Sequence, residues 1–355
     1  MLGVKELKQK LGNQLNWHGS RIDFLAKFML ALIAVRTVNL AEIALGFGGR
    51  AQVDSNYKRL QRFLKKFELD YDEITKVIAN LIPISGPWYL TIDRTNWKFG
   101  RVNINILVLG IAYEGIAFPL LWSLLPKAGN SNTEERIALM ERFICLFGHD
   151  RIACLLGDRE FKGKQWFDFL LDSRIKFRIR LQKNILIENS RGKLVSAFIL
   201  FRNLKAHQYR TLSTKRLVWD HKFYVAGTKL SNGDFLIVVS SDFPANILTD
   251  YAKRWEIETL FGCLKSRGFR FEDTHLTDPE RISKLLSLLA ITFVWAYLTG
   301  EWLSKNKKSI PFKKTINRPL KSVFTHGLEH LRNIILNLYE NFQSFIRVVK
   351  LLSCT

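Results

Sequence analysis

The chain of 355 residues carries 54 Lys and Arg against 32 Asp and Glu, a formal net charge of +22, with 47% hydrophobic residues. That length and apolar content provide for two or three domains with their own cores and exclude a disordered or fibrous chain. The charge points to a polyanionic partner, nucleic acid first; an anionic membrane surface fits less well, because the basic residues run along the whole length instead of forming one block.

Residues 1–85 read as an all-helical domain. The segment from Ser20 to Arg36 opens with Ser20-x-x-Asp23, resembling a capping box, and continues as a nearly unbroken apolar run, which places it at the centre of a small bundle. Asn39-Leu-Ala-Glu42 is another helix start. After the turn Gly46-Phe-Gly-Gly49, Ser55 to Phe67 sets Tyr57, Leu60, Leu64 and Phe67 on one face, with Lys58, Arg59, Arg62, Lys65 and Lys66 around the rest. Helix, glycine turn and basic helix suit a helix-turn-helix-like reader of double-stranded DNA, with Lys58, Arg59, Arg62 and Lys65 on the duplex. An ordinary amphipathic helix with a solvated basic face is the alternative of equal weight.

Past Pro83 and Pro87 the period changes from helical to extended. Tyr89-Leu-Thr-Ile-Asp93 alternates as a strand ending at Asp93, and Asn103 to Tyr113 and Ile116 to Leu124 follow as two more strands of an antiparallel meander. Asn132 to Phe147 reads as a helix, Arg151 to Gly157 as a buried strand ending in Asp158, Lys164 to Leu171 as a helix and Phe177 to Leu181 as a strand. The expected fold class is therefore mixed α/β, an RNase H-like mixed sheet flanked by helices. Its first part spans residues 86–184. Residues 185–244 read as a β-rich insertion, with Val218 to Leu230 and Phe235 to Ser240 forming a hairpin around Asn232-Gly233. The core resumes over 245–300, and 301–355 is a helical C-terminal region with basic residues from Lys305 to Lys321.

Ile282 to Leu298 is strongly apolar but short for a bilayer and interrupted by Ser283, Lys284, Ser287 and Thr292, which favours a buried core helix and no membrane partner. Cys145, Cys154, Cys263 and Cys354 show no zinc spacing and read as thiols of a reducing compartment. The first residues lack the apolar core of a signal peptide, so a cytoplasmic location is expected.

The chemistry gathers in Tyr251-Ala-Lys-Arg254-Trp-Glu-Ile-Glu258-Thr-Leu-Phe-Gly-Cys-Leu-Lys265. On one continuous helix at about 100° per residue, Tyr251, Arg254, Glu258 and Lys265 share an arc of roughly 60°. Ile257, Leu260, Phe261 and Leu264 form a neighbouring apolar stripe. Asp93 and Asp158 close two strands that would be neighbours in the sheet, and the carboxyl ends of adjacent strands are where open sheets gather ligands. With Glu258 as third acid, three carboxylates suit Mg²⁺ or Mn²⁺, two ions roughly 4 Å apart in a phosphoryl-transfer site. Taken singly, Asp93 and Asp158 read equally as salt-bridged strand ends, and Glu258 reads first as part of a solvated helix face paired with Arg254.

The spacing Y, two residues, R, three residues, E, six residues, K is matched by Tyr251, Arg254, Glu258 and Lys265 at every position, and Thr91-Ile-Asp93-Arg-Thr-Asn-Trp97-Lys and Leu156-Gly-Asp158-Arg-Glu-Phe161 resemble the two acid motifs that accompany it. The chain in this way resembles bacterial DDE transposases of the insertion-sequence-four family from about residue 86 to 300. That resemblance implies cutting of DNA at the terminal inverted repeats of an insertion sequence and strand transfer of the freed 3′-hydroxyls into target DNA. Asp93, Asp158 and Glu258 would hold the metals, Arg254 and Lys265 would contact phosphates near the scissile bond, and Tyr251 would position the backbone. Relatives pass through a hairpin intermediate and hold a flipped base on an insertion tryptophan, for which Trp219 is the counterpart available; a packing role in the hairpin is its other reading. A short stretch after the signature helix leaves the dimer surface unassigned, although acting on two ends implies a homodimer on DNA. A metal-dependent nuclease without strand transfer, or a DNA-binding derivative of a transposase, shares most of these features.

Overall fold

The computed structural model describes residues 3–243, 246–307, 309–313 and 318–353. In chain order the elements are α1 (Val4–Gly12), α2 (Gly19–Val35), α3 (Leu40–Gly46), α4 (Val53–Lys66), α5 (Tyr71–Leu81), β1 (Trp88–Phe99), β2 (Val102–Tyr113), β3 (Ile116–Leu124), α6 (Thr133–Phe147), β4 (Ile152–Gly157), α7 (Lys164–Asp172) and β5 (Phe177–Leu181). They continue as β6 (Leu186–Glu188), β7 (Leu194–Ser196), β8 (Tyr209–Thr211), β9 (Arg216–Val218), β10 (His221–Lys229), β11 (Phe235–Ser240), α8 (Ile247–Ala252), α9 (Glu256–Leu264), α10 (Pro279–Asn306), β12 (Phe312–Lys313), β13 (Arg318–Pro319), α11 (Val323–Leu336) and α12 (Phe342–Lys350). Two compact units result. One comprises Met1–Pro83, Trp97–Val102 and Leu260–Thr355; the other comprises Ile84–Asn96 and Asn103–Thr259.

The second unit is built on a sheet in the order β3-β2-β1-β4-β5-β11-β10-β8, with β9 paired to β10. β4 runs parallel to both β1 and β5, while β2 and β3 are antiparallel. α6 packs against β3 and α7, and α8 packs against β5, β10 and β11. Three consecutive strands followed by two parallel to the first, with helices packed alongside, make the mixed α/β arrangement RNase H-like. The hairpin of β10 and β11 extends this sheet, because β11 pairs antiparallel with β5 from Ser240↔Arg178 to Ile237↔Leu181.

Two strand boundaries differ from the sequence reading. β1 does not stop at Asp93 but runs to Phe99. Only its parallel pairing to β4 stops there, the last matched pair being Ile92↔Gly157. The expected strand from Val218 is also broken: Trp219 and Asp220 both take positive φ, 46° and 69°, and form a two-residue turn between β9 and β10. Two left-handed residues in succession give the twist that a tight hairpin needs, and neither residue is the glycine that announces such a turn.

In the helical unit, α2 packs against α1, α3, α10 and α11, and its residues from Phe24 to Ile33 are almost all buried. Its N-cap is His18, whose ring accepts from the Ser20 backbone N–H, so the helix begins ahead of the expected Ser20 start. Asn39 does cap α3, its side-chain oxygen accepting from the Ala41 N–H. α10 is the one single helix among the described residues long and apolar enough to cross a membrane, yet 94% of its apolar window is buried within the protein, as a core helix requires. The bent pair α2 and α3 reaches the same apolarity and is likewise lined by core residues. Cys354 and part of the basic stretch from Lys305 to Lys321 lie outside the described residues.

Candidate active site

The site starts from the register of β1 against β4. Ile92 pairs with Gly157, so Asp93 and Asp158 are each the next residue along neighbouring parallel strands. Gly157 suits a tight place: a Cβ there would stand 3.0 Å from the Cβ of Phe161, so a larger residue would have to shift Phe161 by a few tenths of an ångström. Asp93 shares its face of β1 with Tyr89 and Thr91, and the register carries the same face onto Arg178 and Arg180 of β5. The Arg180 guanidinium lies 3.8 Å from the Asp158 carboxylate.

The segment bearing Glu258 is not one continuous helix. α8 ends at Ala252, Lys253–Trp255 form a tighter 3₁₀ turn, and α9 begins at Glu256. Tyr251 and Arg254 therefore do not line a solvated stripe. Tyr251 is buried among Ala226, Leu236, Val238 and Ile247, with its hydroxyl 3.5 Å from an Asp158 oxygen, and burial raises its phenol above the usual tyrosine range. Arg254 is 2% exposed, and its guanidinium spans two acids: Nη1 lies 3.4 Å from Asp93 Oδ2, and Nη2 donates to Glu258 Oε1 at 2.5 Å. Glu258 is otherwise largely exposed.

Burial pushes Asp93 up to about 7; its bond from the Arg94 N–H and the Arg254 charge oppose the rise, while Glu160 and Asp158 add to it. The place is thus rich in carboxylate, with one buried cation set into it. Arg94 is already engaged: Nε and Nη2 donate to the two oxygens of Glu160, each at 2.8 Å, and the remaining donors reach Asn105 and Asn130 at 2.9 Å. This fork joins the residue after Asp93 to the second residue after Asp158, locking the two acid-bearing loops together.

Glu160, Arg180 and Glu256 were not singled out in the sequence. The only signal for Glu160 is its place inside the second acid motif; Arg180 is visible only once β5 is known to adjoin β4. Glu256 accepts from the backbone N–H groups of Gly115 and Tyr113, tying the start of α9 to the turn between β2 and β3, and burial pushes it up to about 7. Arg159, Arg180, Gln182, Lys183, Asn184 and Asp234 line a cleft of about 390 Å³ beside Asp158.

The remaining sequence candidates fall elsewhere. Lys265 follows α9 in the helical unit, where it pairs with Glu272 at 2.6 Å and lies over the Trp97 ring. Lys58, Arg62 and Lys65 are exposed on α4, whose buried face is Asn56, Leu60, Phe63 and Leu64. Arg59 turns inward to Asp23 at 3.3 Å and over the Phe24 ring. Trp219, in its hairpin turn, packs against Phe167 of α7 with ring centroids 5.6 Å apart.

Among the described residues no three His, Cys, Asp or Glu side chains gather closely enough to hold a metal ion as they stand. Arg254 lies between Asp93 and Glu258. The donors themselves are hard carboxylate oxygens, the ligand type that fits Mg²⁺ or Mn²⁺.

No curated protein matches this chain. A piggyBac transposase, solved by cryo-EM as a synaptic complex with hairpin DNA, is similar at 12% identity and a TM-score of 0.48, over 97% of this chain and 77% of that one. The family model described as the transposase DDE domain matches residues 90–295, more than half of the chain and the stretch that contains Asp93, Asp158 and Glu258. The chain belongs to the transposase DDE domain family.

Proposed function

We propose that this protein is a transposase of the insertion-sequence-four group that cuts DNA at the terminal inverted repeats of a mobile element and joins the freed 3′-hydroxyls to target DNA. The observation that carries this reading is the placement of Asp93 and Asp158 one step beyond the last matched pair of two parallel strands, with Arg254 linking Asp93 to Glu258. Asp93, Asp158 and Glu258 would hold two divalent ions, Mg²⁺ or Mn²⁺. Bound there, the ions would activate the attacking water or 3′-hydroxyl and stabilise the leaving oxygen.

The chain's own residues do the rest. Arg254 keeps buried carboxylate charge compensated and presents a guanidinium that suits a phosphate. Arg180, with Arg159 and Lys183 along the adjoining cleft, gives the DNA backbone a cationic wall next to Asp158. Tyr251 stiffens the approach of its segment to Asp158, and Lys265 is assigned, as the resemblance implies, to a DNA phosphate. The basic face of α4 would grip a DNA duplex, Trp219 is the candidate for a displaced base, and two chains would act together on the paired ends, in the cytoplasm.

Cleavage of a labelled DNA carrying the element's own ends tests the reading. Mg²⁺-dependent cutting by the native chain, lost in Asp93→Asn and in Glu258→Gln while DNA binding persists, is the expected result. Joined products identify a transposase, products without joining a nuclease, and tight binding without any cutting a DNA-binding derivative. Equal loss of binding and cutting in both variants would remove these acids from their assigned roles.

A further inference from the structure

Asp250 stands in the last turn of α8, directly before Tyr251 and four residues before Arg254. Its carboxylate accepts from the Tyr89 hydroxyl of β1 at 3.2 Å and lies 3.6 Å from the Arg178 guanidinium of β5. β1 and β5 are the two neighbours of β4, so a single carboxylate ties α8 down across three strands. Tyr89 grips a second point as well, since the Lys253 ammonium lies 3.5 Å over its ring. One side chain of β1 therefore holds both the last turn of α8 and the first residue of the 3₁₀ turn.

Arg178 extends the anchor. It is 3% exposed, and its Nη1 donates to Asp242 at 2.6 Å just past the end of β11. With Asp250 on its other arm, it links the residue pair after β11 to the last turn of α8. A buried guanidinium shared by two carboxylates adds little net stability, but it penalises every arrangement that leaves one of those charges unpaired. The same two strands carry the contacts to the acids: Asp93 is four residues beyond Tyr89 on β1, and Arg180 is two beyond Arg178 on β5. A shift of α8 against these strands would move Arg254 with it, and a displacement of about 1 Å is enough to cost two orders of magnitude in a positioned reaction.

We propose that Tyr89, Arg178 and Asp250 are positioning residues that fix the break between α8 and α9 over the sheet, and so set Arg254 and Glu258 against Asp93. None of the three touches the reacting atoms. The proposal rests on Asp93, Asp158 and Glu258 being the catalytic acids.

Tyr89→Phe keeps the ring under Lys253 and removes the hydroxyl; Asp250→Asn keeps the shape and removes the charge. Single-turnover cleavage, DNA dissociation constants and hydrogen exchange of peptides covering residues 247–258 are measured for each variant and for the pair. The expected result is a cleavage rate about tenfold lower with DNA affinity within twofold of native, faster exchange confined to 247–258, and a double variant no slower than Asp250→Asn alone. Val239→Ala, in the core of β11, serves as a variant that loses stability without touching the anchor. Unchanged rate and exchange in the Tyr89 and Asp250 variants overturn the proposal, as does an equal slowing by Val239→Ala. Should the native chain fail to cut DNA, the catalytic assignment falls by itself and exchange decides the positioning: loss of protection confined to 247–258 upholds it, and unchanged protection removes it.

Discussion

Asp93 shows at the scale of one residue how the site works against the fold that carries it. With its folded value raised from 3.8 to about 7, the native chain keeps a proton on Asp93 between about pH 4 and pH 7 that the unfolded chain has already released. Its contribution to stability is therefore complete below about pH 4 and is lost as pH rises through about 7. Glu256, also raised to about 7, acts in the same direction over the same window. Urea unfolding in the presence of a chelator should show stability declining from pH 5 to pH 8, with Asp93→Asn making the decline shallower. At pH 8 the variant should be the more stable by on the order of 2 kcal/mol, given about 1.4 kcal/mol per pKa unit less the pairing with Arg254 that the amide gives up. A variant no more stable than the native chain at pH 8 would mean that Arg254 fully compensates the Asp93 charge.

At the scale of elements, the crossing of α10 and α11 depends on two glycines. A methyl on Gly300 would strike the Val323 carbonyl, and one on Gly327 would strike the Ala296 carbonyl, both being backbone that cannot rotate aside. Gly327→Ala should cost about 1–3 kcal/mol through overpacking, although alanine is the better helix former, and a thermal melt of the variant measures it. Such close approaches are invisible in a sequence, where either glycine reads as a weak point in a helix. Periodicity and strand alternation made β2, β3, β5, α6 and α7 legible nearly to the residue, while the apolar run from Ile282 to Leu298 marked only the middle of α10 (Pro279–Asn306). The departures have a common cause: the sequence shows the period of an element but not the point at which a neighbour overrides it. β1 continues past Asp93 because its turn to β2 lies beyond Phe99, and the segment of Tyr251 and Glu258 breaks where Lys253 and Asp250 are drawn to Tyr89. Asp93, Asp158 and Glu258 were proposed from strand ends, helix spacing and a family resemblance taken together, whereas Glu160 and Arg180 required the pairing of β4 with β1 and β5.

For the whole molecule the net charge of +22 makes affinity for DNA a function of salt. Log K should fall linearly with log salt at a slope of about −0.9 per phosphate neutralised. Replacing Lys58, Arg62 and Lys65 together by alanine should lower that slope by up to about 2.7 if all three reach phosphates, as a titration at several salt concentrations would register. Arg59 should behave differently, since its tie to Asp23 and Phe24 makes its loss a matter of packing. An unchanged slope in the triple variant would leave α4 as a solvated face.

The helical unit draws on both ends of the chain: α2 packs against α10 and α11, and α1 against α12, so helices made first are completed by helices made last. The sheet-bearing unit ends earlier in the chain, at Thr259. During translation the strands that lead to Asp93 and Asp158 are consequently made while the apolar flank of α2 still waits for its partners. A chain released before α10 should expose that flank and aggregate, so the order of synthesis itself works against the survival of incomplete copies.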